Sequence, residues 1–162
     1  MNPNENIHID LPATHKYLNV LSASIQEMLA RAEIRDENIT IYSIQLAVQE
    51  ACTNIIDHAY AGANGRIAIT LTLASQPNRF IIESRDTGTH THDPSQIDEP
   101  SPYDTRGRGW FLIRKLMDEI TYHSRESLVW KCKTDGPWKI IKDTSSLPAP
   151  EGHNYLRLVK HL

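Results

Sequence analysis

"AVQEACTNIIDHAY", residues 47–60, places three polar side chains at a spacing that decides how the rest of the chain is interpreted. From about position 38, apolar residues recur every three or four positions, which predicts one amphipathic helix that ends at Tyr60. The predicted buried face consists of Ile41, Ile44, Val48, Cys52, Ile55 and Ala59. At about 100° per residue, Glu50, Asn54 and Asp57 share one stripe roughly opposite that face.

Two interpretations of this polar stripe are open. A solvent-exposed helix face commonly carries such residues, and the spacing of Glu50 and Asn54 alone does not exclude it. However, Leu46 lies on the same stripe, and the predicted helix contains no Lys or Arg to pair with its acidic residues. A carboxylate and an amide oxygen on one ridge also suit a hard cation such as Mg²⁺, which prefers oxygen ligands.

The rest of the chain alternates helical and strand-like segments. A first helix, from Thr14 as N-cap to about Ala32, follows from the apolar spacing of Leu18, Leu21, Ile25, Met28 and Leu29. A third helix is predicted over residues 109–120. Period-two patterns predict strands at 6–12, 66–74, 79–86, 121–124, 127–133, 138–143 and 154–162.

This order of elements predicts an α+β fold. We expect a two-layer sandwich with three helices packed on one face of a mixed, mostly antiparallel β-sheet. The turn-forming sequence "SQPN" at 75–78 joins two strands as a hairpin. Residues 1–162 are expected to form a single domain, in which residues 126–150 are either an extra hairpin or a surface for a partner.

A second motif, "RDTGTH", follows a predicted strand. Asp86 stands at the strand end, and Gly88 would let a ligand approach the backbone, so the carboxylate could recognise an exocyclic amine. The alternative is an Asx turn, which the pattern D-x-G commonly forms.

A third motif, "RGRGWFLIRKLMDEI", places two glycines directly before an apolar helix. The unpaired backbone N–H groups and the dipole at a helix N-terminus favour anions such as phosphate. Arg106 and Arg108 add positive charge. A glycine-rich helix start without a ligand is the alternative.

Composition excludes several classes of function. The 162 residues carry a net charge of −3, with 40% hydrophobic and 23% charged residues, which is ordinary for a soluble domain. That balance gives no general attraction to nucleic acid or anionic membrane. We see neither a signal peptide nor a membrane span, and therefore expect a cytoplasmic protein with two buried, reduced thiols at Cys52 and Cys132. His90, His92 and Asp93 lack the second ligand set that a zinc site needs.

Together, the three motifs give a specific resemblance. The chain resembles the ATP-binding fold shared by gyrase, the heat-shock chaperone ATPase, histidine kinases and mismatch-repair ATPases. Within that fold it is most similar to the bacterial anti-sigma factor serine-protein kinases. "EACTNIIDHAY" resembles their N-box, "DTGTHTHDPSQ" their first glycine box, and "GRGWFLIRKLMDEI" their second. The resemblance spans about residues 5–125, and "NYLRLVKHL" fits the last strand.

The resemblance implies roles for individual residues. Glu50 would be the general base and Asn54 the Mg²⁺ ligand, with Asp57 also in the nucleotide site. Asp86 would bind the adenine amine, and Gly88 would give the base room. The residues expected to face the phosphates are Arg106, Gly107, Arg108 and Gly109. Residues 89–105 would form a lid over the nucleotide.

The chain departs from the family pattern at three places. His92 stands where Phe is usual, Arg85 where an apolar residue is commoner, and residues 126–150 are longer than the usual link into the last strand.

The resemblance implies an anti-sigma factor with ATP- and Mg²⁺-dependent serine/threonine-protein kinase activity. Its partners would be a sigma factor and the anti-sigma factor antagonist that it phosphorylates. A homodimer is possible, and no direct contact with nucleic acid or membrane is expected. Two alternatives stay open: an anti-sigma factor that holds nucleotide without phosphorylating, and an ATP-binding regulatory module of another phospho-signalling switch.

Overall fold

The computed structural model describes residues 4–76, 78–90, 93–94, 109–126, 128–141 and 152–162. Most of the expected lid at 89–105 lies outside the described residues. So do three of the expected phosphate ligands, Arg106, Gly107 and Arg108, and one of the departures from the family pattern, His92.

Three helices carry the expected apolar faces. They are α1 (Leu18–Leu29), preceded by a 3₁₀ turn (His15–Tyr17), α2 (Glu37–Asn54), continued by a π-helical turn (Ile55–Ala59), and α3 (Gly109–Leu116). All five apolar residues predicted for the first helix are buried, and so are five of the six predicted for the second. Thr14 occupies the N-cap position of the 3₁₀ turn that leads into α1, as predicted, with the extended backbone usual for an N-cap but without a side-chain capping hydrogen bond. None of the described helices is long and apolar enough to cross a membrane.

The described strands form one sheet. They are β1 (Asn4–Pro12), β2 (Arg66–Ala74), β3 (Arg79–Asp86), β4 (Glu119–His123), β5 (Val129–Lys133), β6 (Lys139–Ile141) and β7 (Asn154–His161). Their order across the sheet is β1-β2-β3-β7-β4-β5-β6. Every pairing between these strands is antiparallel. The hairpin β5–β6 extends the sheet beyond β4, inside the segment that departs from the family pattern.

The main core lies between the helices and one face of the sheet. Alternate residues of β2 and β3, among them Leu71 and Phe80, are fully buried and pack with α1 and α2. Side chains of the opposite parity lie on the other face, where Ala74, Ile81 and Val159 form a separate small cluster. The predicted α+β sandwich with helices on one face is therefore confirmed.

The third helix is shorter than predicted. It ends at Leu116, and β4 begins at Glu119, although the periodic pattern continued to residue 120. The backbone N–H of Asp118 donates to the carbonyl of Val159 at 2.9 Å, and Glu119 then pairs with Val159 in the ladder to β7. Pairing with the central strand overrides the helical propensity of this short segment.

Candidate functional site

A small cleft with a cavity volume of about 40 Å³, partly open to solvent, lies among the end of α2, the end of β3 and the start of α3. Its lining is mainly apolar with a few polar groups, as in sites for small ligands. The lining residues are Ala51, Asn54, Ile55, Ala59, Asp86, His90, Trp110, Tyr122 and Leu156. The three sequence motifs therefore converge on one cleft.

Asn54, the last residue of α2, lies against Gly109, the first residue of α3. A Cβ atom at Gly109 would be 2.8 Å from both the Nδ2 and the Oδ1 of Asn54, so only glycine fits there without moving the amide. Within the described part of the chain, the buried Nδ2 has no hydrogen-bond partner. Buried polar groups are normally paired, so this donor suits an acceptor, such as a phosphate oxygen of a ligand in the cleft.

Glu50 lies one turn before Asn54 on α2 and is half-buried. Among the described residues, no side chain forms an ion pair or hydrogen bond with its carboxylate. An unengaged carboxylate on the same ridge as Asn54 can accept a proton from a hydroxyl that approaches the cleft.

Asp57 does not share the environment of Asn54 or Asp86. It lies in the π-helical turn, and its Oδ1 is 2.8 Å from Nε2 of His15, with both side chains about half exposed. A π-helical turn holds more residues than an α-helical turn, so residues after Asn54 rotate away from the stripe that ideal α-helical spacing predicts. The role of Asp57 in nucleotide binding stays a prediction that no described contact supports.

Ala59 and Tyr60, the last residues of the stretch 47–60, connect the turn after α2 to the loop after β3. The backbone N–H of His90 donates to the carbonyl of Ala59 at 3.1 Å. A Cβ atom at Gly88 would lie 2.5 Å from the carbonyl carbon of Ala59, so this glycine is needed for the close approach of two backbones. The Tyr60 hydroxyl donates to the Arg66 carbonyl at 2.6 Å and accepts from the N–H of Thr87 at 3.0 Å.

Asp86 is only 5% exposed, and its hydrogen bonds with described residues all go through one oxygen. Its Oδ1 accepts from the N–H of Gly88 at 2.9 Å, which is the Asx turn that the sequence offered as an alternative. The same Oδ1 accepts from Nδ2 of Asn154 at 2.8 Å. Burial raises the pKa of the Asp86 carboxyl, whereas the bonds from Asn154 and Gly88 act in the opposite direction. The turn and a ligand site are therefore compatible, because each uses a different oxygen.

Arg85 does not enter the cleft. Its guanidinium lies over the Tyr155 ring, 5.1 Å from the ring centroid. Successive side chains of a strand point to opposite faces, so Asp86 faces the helices and Arg85 the other side. The departure from the family pattern at this position leaves the described cleft unchanged.

Several cleft residues were not identified from sequence. Trp110 follows the glycine motif directly and is 7% exposed, with its ring centroid 5.2 Å from that of Tyr122. His90, which belongs to the predicted lid and to the first glycine box, lines the cleft, although no role was predicted for its side chain. Trp110 lies within the second glycine box, and it was the local sequence signal for this apolar side of the cleft.

The oxygen ligands available in the cleft suit a Mg²⁺ ion that the protein and a substrate bind together. Within the described ranges, no three His, Cys, Asp or Glu side chains cluster closely enough to hold a metal by themselves. Mg²⁺ commonly takes one or two protein oxygens together with substrate phosphates and waters. In such a shared site Oδ1 of Asn54 would be the metal ligand, whereas its buried Nδ2, unpaired within the described residues, is a donor that suits a phosphate oxygen.

Comparison with known proteins agrees with this geometry. Residues 11–131 match the Histidine kinase-like ATPase domain family. The chain is 30% identical over 125 residues to Serine-protein kinase RsbW of Bacillus cereus (strain AH820). The aligned region covers 72% of this chain and 76% of that protein. The same identity and coverage are found for the proteins of that name from Bacillus anthracis and Bacillus thuringiensis (strain Al Hakam). This chain belongs to the histidine kinase-like ATPase domain family.

Proposed function

We propose that this protein is an ATP-dependent serine/threonine-protein kinase that acts as an anti-sigma factor, binding a sigma factor and phosphorylating the antagonist of that interaction. The observation that carries the proposal is the convergence of Asn54, Asp86 and Gly109 on one cleft. Membership of the ATPase family and similarity to proteins named serine-protein kinases support the choice of reaction.

The adenine ring would occupy the apolar part of the cleft. Trp110, Tyr122 and Leu156 provide apolar surface, and Asp86 provides the polar group that reads the base. Because Oδ1 of Asp86 already accepts two hydrogen bonds, Oδ2 is the oxygen left to accept a bond from the exocyclic amine.

The phosphates would lie at the start of α3. Gly109 begins this helix, whose N-terminal N–H groups and dipole favour negative charge. In the sequence, Arg106, Gly107 and Arg108 precede it directly, and we assign them to phosphate binding as well. Asn54 would hold Mg²⁺, which when bound neutralises charge on the phosphates.

The transfer step needs few protein groups. Glu50 accepts the proton of a serine or threonine hydroxyl as that oxygen forms a bond to the γ-phosphorus of ATP. The bond between the γ-phosphorus and the β,γ-bridging oxygen breaks, and ADP leaves with that electron pair. The protein contributes position and charge, because phosphoryl transfer requires little covalent chemistry from it.

The partners and context follow from the same proposal. A sigma factor and its anti-sigma factor antagonist are the expected protein partners, in the cytoplasm, with residues 1–162 as a single domain. A homodimer is possible, and neither nucleic acid nor membrane is a direct partner.

The test compares Glu50→Gln with Glu37→Gln, a carboxylate change at an exposed position on the same helix. Both variants should bind Mg·ATP like the native protein. Only Glu50→Gln should lose transfer of labelled γ-phosphate to a purified antagonist protein, by about 100-fold or more. If Glu50→Gln transfers phosphate at the native rate, Glu50 is not the general base. ATP binding without transfer by the native protein to any antagonist would favour the non-catalytic regulatory module.

A further inference from the structure

Asn154, the first residue of β7, has nearly all of its hydrogen-bonding capacity committed around Asp86. It is 1% exposed. Its Nδ2 donates to Oδ1 of Asp86 at 2.8 Å and to the carbonyl of Gly88 at 2.9 Å. Its Oδ1 accepts from the backbone N–H of Arg125 at 2.9 Å. Turning the amide over would set its oxygen against two acceptors, so the network fixes one orientation.

The fixed amide also fixes the carboxylate beside it. Asn154 and Gly88 both donate to the same oxygen of Asp86, so rotation of the carboxyl group would break two bonds at once. These bonds leave Oδ2 as the acceptor for a ligand in the cleft. They also favour the ionised carboxylate, which can accept a hydrogen bond but cannot donate one.

The surroundings of Asp86 act on its ionisation in both directions, and burial, the largest cause, raises the pKa of its carboxyl group. Burial and the Asp86 charge raise the pKa of the Cys52 thiol, on α2, to about 12, and they raise the pKa of Tyr122, on β4, so both are neutral near pH 7. Arg125, after β4, and His153, before β7, each lower the pKa of the Asp86 carboxyl. Glu126 also contributes to the raised pKa of Tyr122.

We propose that Asn154 is a positioning residue that makes Asp86 selective for a 6-aminopurine. The amide of Asn154 presents Oδ2 of an ionised Asp86 to the cleft, where it accepts a hydrogen bond from the exocyclic amine of the base. The inference rests on the proposed nucleotide site and adds the residue that sets its specificity for the base. Arg125 supports the same loop, since its Nη1 donates to the carbonyls of Thr87 and Gly88 at 3.2 and 3.4 Å.

The experiment measures the dissociation constants of Mg·ATP and of Mg·purine riboside triphosphate, which lacks only the exocyclic amine. The variants are Asn154→Leu, of similar volume but without a donor, and Ser84→Ala. Ser84 is a matched control, because it is buried on the same face of β3 two residues before Asp86. Each is studied well below its melting temperature.

We expect Asn154→Leu to weaken ATP binding about 10- to 100-fold, the usual consequence of losing a hydrogen bond to a charged group. Binding of the analogue without the amine should change less than threefold. Ser84→Ala should leave both constants within twofold. A residue with a merely structural role would weaken both nucleotides equally, and that result in Asn154→Leu would overturn the proposal.

Asn154→Asp provides a second readout and keeps the shape of the side chain. Its carboxyl group donates to Asp86 only when protonated, so ATP binding should strengthen several-fold from pH 8 to pH 6. The native protein should show no such gain. If ATP binding by Asn154→Asp does not strengthen from pH 8 to pH 6, the proposal is overturned, even where Asn154→Leu does not fold. A native protein that binds neither nucleotide would instead refute the proposed function.

Discussion

Replacing Gly109 with Ala should separate function from stability. The new Cβ atom would lie 2.8 Å from both terminal atoms of Asn54, well inside ordinary van der Waals contact. The contacted atoms are the far end of a side chain, so the structure can adapt by rotating the Asn54 amide. That rotation moves the proposed Mg²⁺ ligand away from its site.

The expected magnitudes follow from these contacts. Forcing Asn54 off its rotamer costs about 0.5–1.5 kcal/mol. Alanine is favoured over glycine by about 0.5–1 kcal/mol inside a helix and by less at Gly109, the first residue of α3, so this preference offsets part of that cost. The free energy of unfolding should therefore change by less than about 1 kcal/mol, or roughly 2–4 °C in Tm. Losing one contact to a charged centre costs about 1.5–3 kcal/mol, which lowers kcat/KM about 10- to 100-fold.

The assay is a double-mutant cycle on phosphoryl transfer. Gly109→Ala, Asn54→Ala and the double variant are compared with the native protein, and Gly136→Ala in the β5–β6 turn serves as the glycine control. If Gly109 acts by leaving room for Asn54, the double variant should be no worse than Asn54→Ala alone. Additive losses in the double variant would refute this reasoning, because Gly109 would then act on the phosphates independently of Asn54.

The remaining predictions concern the ligand and the two turns beside the site. Mg·ATP at about 100 times its Kd should add about 2.7 kcal/mol to the free energy of unfolding and raise Tm by roughly 5–10 °C; a melt that does not move at millimolar Mg·ATP would contradict the nucleotide site. Gly88→Ala should destabilise by about 1–3 kcal/mol in denaturant unfolding, because its Cβ would meet the backbone of Ala59, and a loss below about 0.5 kcal/mol would argue against that contact. Asp57→Ala removes a half-exposed pair with His15, so stability should fall by less than about 1 kcal/mol; the ATP affinity of this variant tests the predicted place of Asp57 in the nucleotide site, and a change of less than twofold would contradict it.

The sequence by itself determined the helix faces, the central hairpin and the order of the motifs. Apolar spacing placed the buried residues of α1 and α2, and alternation gave β2 and β3 their observed bounds. These features are set by local periodicity, because a side chain's direction in a helix or strand depends on its position within that element. The N-box and the glycine boxes are local for the same reason, so Glu50, Asn54, Asp86 and Gly109 could be selected from sequence.

Only the tertiary structure decided how those residues are held. The π-helical turn after Asn54 rotates Asp57 toward His15, which ideal α-helical spacing does not predict. Pairing of Glu119 with Val159 ends α3 early. Asn154 meets Asp86 across 68 positions of sequence, because β7 lies beside β3 in the sheet. Such contacts depend on strand order and on the close approach of backbones, and no local pattern around either residue encodes them.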